Sequence, residues 1–321
     1  MERKRNRLVS IGEVFSDLDG PVKELREASP QAIRHFTRFD QVNQLASARE
    51  AEPDTGFMAR LLALCSLPRT NPGDRKEYIR RNGPYTLGMN AGINNKLPFG
   101  NLPRLLLAWV CTEAVRTQSR EIILGDSVSK FMRKIGIYST SGGVHTRLRN
   151  QMDRLFSASV ELIYEDEHGK QFAASRIADR GELWWNPKRP DQRSLWESKI
   201  YLGESFFNEI IAHPVPLDMN VLKALKRSPL GLDLYLWLTY RTFALTRPLR
   251  LSWPSLYRQF GANPAKAGDK RTVDNFRSKC LRELKKIKVA WPEISYATAK
   301  GVLILLPSTP SIAPAQPQVE K

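Results

Sequence analysis

Cysteine and histidine are scarce in this chain, with three Cys and four His in 321 residues. Cys65, Cys111 and Cys280 are odd in number and far apart, which excludes a disulfide framework and suits buried, reduced thiols. His35, His145, His168 and His213 show no paired spacing, so no metal site is expected. Long apolar runs are missing too. The best candidate, Leu230–Thr246, is interrupted by Asp233 and Arg241 and falls short of the roughly 18 uncharged residues that a span requires. The opening MERKRNRLVSIGEVF has no apolar core of a signal peptide. The expectation is a cytoplasmic protein with no membrane partner.

Motifs of the common nucleic-acid enzymes are also lacking. No phosphate-binding Gly-x-x-x-x-Gly-Lys-Ser/Thr occurs, and no His-x-His that could hold a metal beside a Tyr nucleophile. Paired carboxylates are confined to Asp17-x-Asp19 and Glu165-Asp166-Glu167, the latter in a predicted hairpin turn. No catalytic residue and no cofactor are therefore expected. Acidic residues are outnumbered, 33 against 50 Lys and Arg, for a net charge of +17. Such an excess favours a polyanionic partner.

What is present centres on Pro216–Pro307. Wound as a helix, Arg271–Lys288 places Val273, Phe276, Cys280, Leu284 and Ile287 on one face. Arg271, Asn275, Ser278, Lys279, Arg282, Lys285 and Lys286 fall on the other. Cations suit phosphates, and Arg or Asn can read base edges in the DNA major groove. Around this helix the pattern predicts a buried helix over Leu230–Thr246, a strand at Leu249–Leu251, and a helix capped by Ser252 and ended by Gly261. A β-hairpin of Glu293–Thr298 and Val302–Leu306 follows, turning at Ala299-Lys300-Gly301. Helix, strand, helix, helix, hairpin is the order of a winged helix, with Lys300 at the wing tip.

The same order is predicted earlier. Helix Leu102–Thr117, strand Glu121–Leu124, helix Ser127–Ile135 capped by Asp126, helix Thr146–Phe156 and a hairpin around Asp166–Lys170 match it element by element. Trp109 to Gly136 is 27 positions, and Trp237 to Gly261 is 24. Thr146, Arg147, Asn150 and Arg154 would form the outward face of the equivalent helix. The fold class expected is α+β, mostly helical, with tandem winged-helix domains and β-hairpin wings.

Four segments follow from this reading. Residues 1–75 form a variable helical region, with Met1–Gly20 flexible, a helix over Gln31–Ala48 and a short apolar helix at Gly56–Leu67. Residues 76–213 form the first domain, with Arg75–Asn90 extended and basic. His213-Pro214-Val215-Pro216 is a stiff linker to the second domain, 214–307, and 308–321 is a disordered tail. Trp184 and Trp185 read as core rather than as stacking platforms for bases.

Several blocks resemble a known family. LPFGNLPRLLLAWVCTEAVRTQSREI (97–122), RLFSASV (154–160), ELWWNP (182–187) and PVPLDMNVLKALKRSPLGLDLYLWLTYR (214–241) are similar to signature blocks of plasmid-encoded RepA-type replication initiators. The resemblance covers roughly residues 80–306. It implies binding of double-stranded origin DNA at direct repeats (iterons), with recruitment of the host replication initiator and helicase. It also implies an equilibrium between homodimer and monomer. DNA contact would fall to Arg271, Asn275, Ser278, Lys279, Arg282, Lys285, Lys286 and Lys300, and to Thr146, Arg147, Asn150 and Arg154. A transcriptional repressor built on the same modules is the alternative expectation.

Overall fold

In the computed structural model, residues 40, 41, 43–138, 142–186, 189 and 191–312 are described. The chain divides into two compact units, 1–44 and 45–321. Met1–Gly20 lies outside the described residues, and of the helix expected over Gln31–Ala48, residues 43–48 are helical. The rest concerns the second unit, inside which the boundaries expected after 75 and 213 both fall.

The reason is a strand pair that periodicity did not reveal. Strand β1 (Thr55–Ala59) runs antiparallel to β9 (Pro214–Asp218), with Thr55 opposite Asp218 and Ala59 opposite Pro214. The stretch expected as a linker is thus a strand. Both prolines are accommodated because a two-stranded ladder consists only of edges, where a missing N–H is tolerated. The helix expected over Gly56–Leu67 is likewise corrected to β1 plus one short helix, α1 (Arg60–Leu64). Gly56 is required there, since a Cβ would lie 2.5 Å from Met219 Cγ and 2.9 Å from Thr112 Oγ1.

Two helices buried nearly all round form the centre. Helix α2 (Asn101–Thr117) buries Leu105 through Thr112 without a break. Helix α7 (Pro229–Phe243) buries Leu230 through Thr239. Ser228 starts α7 by accepting from Gly231 N, with Pro229 in the first turn. Arg104 of α2 and Asp233 of α7 form an ion pair at 2.6 Å with both side chains buried.

The C-terminal part follows the predicted order. Strand β10 (Leu249–Ser252), helix α8 (Trp253–Phe260), a 3-10 turn (Pro264–Gly268), helix α9 (Lys270–Ala290) and strands β11 (Tyr296–Ala299) and β12 (Val302–Leu305) succeed α7. The sheet order is β10-β12-β11. Ser252 caps α8 through Ser255 N at 3.3 Å. Gly301 takes φ +77 in the two-residue turn, a conformation that costs a side-chain-bearing residue about 1–2 kcal/mol.

The first part repeats the order of elements but not their pairing. Helix α2 is followed by β4 (Glu121–Gly125), α3 (Val128–Lys134), α4 (Gly142–Ser157) and the hairpin β5 (Ser159–Asp166) and β6 (Gly169–Arg176). Ser127, not Asp126, caps α3. In the C-terminal part the first strand joins the hairpin. Here β4 instead pairs with β8 (Ser198–Leu202), which also pairs with β7 (Ala178–Glu182). The hairpin extends the pair β2 (Glu77–Asn82) and β3 (Tyr85–Asn90) into a four-stranded sheet, β2-β3-β5-β6. With four antiparallel sheets among the described residues, the fold is mixed α and β rather than mostly helical. Helix α5 (Glu204–Ala212) and the short α6 (Met219–Ala224) complete it.

The two parts are knitted by buried polar contacts. From β2, Arg80 Nη1 donates to Arg258 O at 2.9 Å. Gln259 Nε2 donates to Leu64 O at 3.1 Å, and Asn101 Nδ2 to Lys226 O at 2.7 Å. Buried polar groups need such partners, so separating the parts would orphan them.

The tail expected to be disordered from Ser308 is held as far as Ile312. Trp291 Nε1 donates to Thr309 O at 3.0 Å, and Ser311 Oγ lies 2.8 Å from Tyr235 Oη. Residues 313–321 lie outside the described ones.

Candidate nucleic-acid interface

Helix α9 is amphipathic as its sequence predicts. Val273, Phe276, Cys280, Leu284 and Ile287 are all buried. Phe276 meets Tyr257 of α8 edge-on at 5.4 Å, fixing the angle between the two helices. Arg271, Asn275, Ser278, Lys279, Arg282 and Lys285 are exposed. Positions three and four apart on a helix share a face, so these six form one ridge facing water.

Two features set the ridge. Asp269 caps α9, accepting from Arg271 N at 3.1 Å and from the Thr272 hydroxyl. The Thr272 hydrogen bond is the main reason its carboxyl sits below the ordinary carboxylate range, with Arg271 N and Lys266 adding to it. Ser278 Oγ donates to Asp274 O at 3.1 Å, yet the residue stays exposed. Beneath the ridge, burial pushes the Cys280 thiol up to about 12, so it remains a neutral packing group.

Lys286 departs from the expected set. Its Nζ lies 3.1 Å from Glu283 Oε1, and that carboxylate is buried, so Lys286 neutralises an internal charge. Lys300 is exposed at the tip of the β11–β12 turn. Trp253 N, at the start of α8, donates to Gly301 O at 3.2 Å and so fastens the turn to the body.

Cations at the start of α9 went unassigned by sequence reasoning. Lys266, on the 3-10 turn, and Lys270 are exposed there, as is Arg250 on β10. The available signal was Asn263-Pro264, a turn initiator. Asn263 Oδ1 accepts from Ala265 N at 3.2 Å.

On α4 the picture is less uniform. Thr146, Arg147 and Asn150 are exposed, whereas Arg154 is half-buried. Its Nη1 donates to Leu97 O at 3.3 Å and its guanidinium lies 5.2 Å from the Phe99 ring centre. Arg154 therefore docks α4 onto the loop before α2 instead of facing outward. Farther along, Trp185 is buried and donates to Gly125 O at 2.8 Å, while Trp184 is 51% exposed. Only one of the pair belongs to the core.

The fold is thus mixed α and antiparallel β, and it carries an outward cationic helix. Residues 97–253 match the family described as plasmid encoded RepA protein. Two solved structures are similar. The crystal structure of selenomethionine derivatives of domains 2 and 3 of RctB is 13% identical with a TM-score of 0.48, over 77% of this chain and 95% of that one. The crystal structure of RctB domains 2-3 is 15% identical with a TM-score of 0.46, over 76% and 94%. No curated protein matches the chain. Among the described residues, no helix is long and apolar enough to cross a membrane.

Proposed function

We propose that this protein initiates plasmid replication by binding direct repeats in double-stranded origin DNA, with α7 to β12 acting as a winged helix. Helix α9 enters the major groove, and Lys300 on the turn reaches the adjacent backbone. Helix α4 makes a second, weaker contact through Thr146, Arg147 and Asn150. The host initiator and helicase are recruited to the bound complex, and the protein works by binding, without catalysis. One observation carries the reading: the α9 face opposite the core is an exposed row dominated by cations, with Asn275 and Ser278 among them and Asp274 the one carboxylate exposed beside them. Cations on such a face position the protein on phosphates, while Arg and Asn supply sequence readout.

Fluorescence anisotropy with a duplex of origin repeats, against a scrambled duplex of equal length, tests this. Arg282→Glu should weaken binding to the repeats at least about 10-fold. Unchanged affinity in R282E and in Lys279→Glu would remove α9 from the interface. Supplying the gene and its origin on a vector unable to replicate otherwise separates initiation from repression alone.

A further inference from the structure

A chain of short contacts links α4 to α9. On α4, Arg147, Gln151 and Arg154 fall at i, i+4 and i+7 and so line one side of the helix. That side meets the loop before α2, where Gln151 Oε1 accepts from Phe99 N at 2.9 Å and Arg154 reaches Leu97 O. Asn101, at the start of α2, donates to Lys226 O at 2.7 Å, in the turn between α6 and α7. Two residues on, Ser228 caps α7. The first turn of α7 lies against α9, since a Cβ on Gly231 would stand 2.8 Å from Glu283 Oε2. Lys279, Glu283 and Lys286 succeed one another along that side of α9. The Lys226-Arg227 turn and the loop before α2 therefore form a saddle between the two helices.

Its charge is of one sign. Residues 93–101 and 219–232 hold Lys96, Lys223, Lys226 and Arg227 and no Asp or Glu. Lys96 and Arg227 are exposed. Lys223 is paired with Asp54 at 3.1 Å. Lys226 Nζ donates to Gly136 O at 2.8 Å and lies 5.4 Å from the centre of the exposed Tyr138 ring. At the α9 end the Glu283 carboxylate is already matched by Lys286. Protein surfaces that need only stay soluble intersperse both signs. A cationic strip between two helices that each present cations outward suits one continuous polyanion.

We propose that this saddle is a third DNA contact, in which Lys96 and Arg227 hold backbone phosphates of the duplex between the segments read by α4 and α9. The inference rests on the DNA-binding reading and adds to it a site that reads no bases. The planar guanidinium of Arg227 matches two phosphate oxygens, and Lys96 brings a point charge on a flexible stem. Lys226 is committed to Gly136 O, so it holds the turn and adds to the local field. Phosphate contacts fix position without carrying sequence. One held in the saddle sets the register of α4 against α9 along the duplex.

Titrations of the full chain at several salt concentrations test it, with a duplex of origin repeats beside a scrambled duplex. Lys96→Ala combined with Arg227→Ala should lower the slope of log affinity against log salt by about 2, each phosphate adding about 0.9. The ratio of affinities for the two duplexes should stay within about twofold. Ethylation of single phosphates locates the contact. Between the two base-read segments it should weaken the parent and leave the double variant indifferent. No interference there in the parent would overturn the saddle, whatever the variant does. So would an unchanged slope, or a collapsed affinity ratio, which would make these residues base readers. R282E separates the two readings. Weaker binding in R282E with an unchanged slope in the double variant fails the saddle alone, and the opposite pair of results fails α9 alone. A parent that binds neither duplex overturns both.

Discussion

Arg104 donates through Nε and Nη2 to the two carboxylate oxygens of Asp233, at 2.6 and 2.8 Å, deep between α2 and α7. Its remaining hydrogens go to backbone oxygens of Leu67 at 2.7 Å, Gly100 at 2.6 Å and Pro68 at 3.1 Å. Every donor of a buried cation is thus used, and one carboxylate balances it. Removing one partner leaves a charge stranded in a low-dielectric interior, which costs about 3–5 kcal/mol. Asp233→Ala should therefore lower the unfolding free energy by about that amount in urea melts. The double variant R104M/D233L should recover part of the loss, because it strands no charge and gives up only the bonds to backbone oxygens.

Lys285 and Lys286 are neighbours in sequence with opposite roles. Lys285 is exposed on the ridge, and Lys286 is half-buried against Glu283. Lys285→Ala should reduce the slope of log affinity against log salt by about 1 while leaving stability alone. Lys286→Ala should do the reverse, destabilising the fold with little change in the slope. Titrations at several salt concentrations, beside thermal melts, distinguish the two.

Arg147 and Arg154 form a similar contrast on α4. Arg147 is exposed, while Arg154 is occupied with Leu97 O and the Phe99 ring. Arg154→Ala should lower the melting temperature through lost packing as well as lost charge. Arg147→Ala should leave it unchanged and weaken DNA binding modestly.

The cap of α9 gives a pH dependence. Asp269 has its carboxyl held below the ordinary value of 3.8 by Thr272 and Arg271 N. A depressed carboxylate contributes stability above its unfolded pKa, and that contribution fades as pH falls through the folded value. Asp269→Ala should thus melt earlier than the parent at pH 7, and the difference should shrink below about pH 3.8. A gap that stays constant into acid would contradict this cap.

All three thiols are buried, and burial pushes each up to about 12. The thiolate is the reactive form, so alkylation by iodoacetamide at pH 8 should be very slow in the folded protein. Mass spectrometry should find all three modified quickly once guanidinium is added.

How much of this was legible depended on the range of the interactions. The C-terminal face could be read because a 3.6-residue period and the Ser252 cap are local signals. Val273 through Ile287 faced inward as their spacing required. The pairing of β4 with β8 joins Ile122 to Ile200 across a long stretch of chain, and no local pattern carries that information. For the same reason the β1–β9 pair was missed. Gly56–Leu67 is a short apolar run, for which periodicity cannot decide between strand and helix. Lys286 and Arg154 were assigned outward positions from helical phase alone. Phase gives a direction, but the buried Glu283 and the Phe99 ring lie in other turns or segments that compete for those cations.

Because Pro214–Asp218 is zipped against Thr55–Ala59, scission near residue 215 would not release two miniature proteins that could be assayed apart. Melting should accordingly be one cooperative event across the second unit, and a ligand gripping α9 alone would slow amide exchange in α2 by simple mass action. Energetically, a duplex held at one end of the molecule is felt at the other.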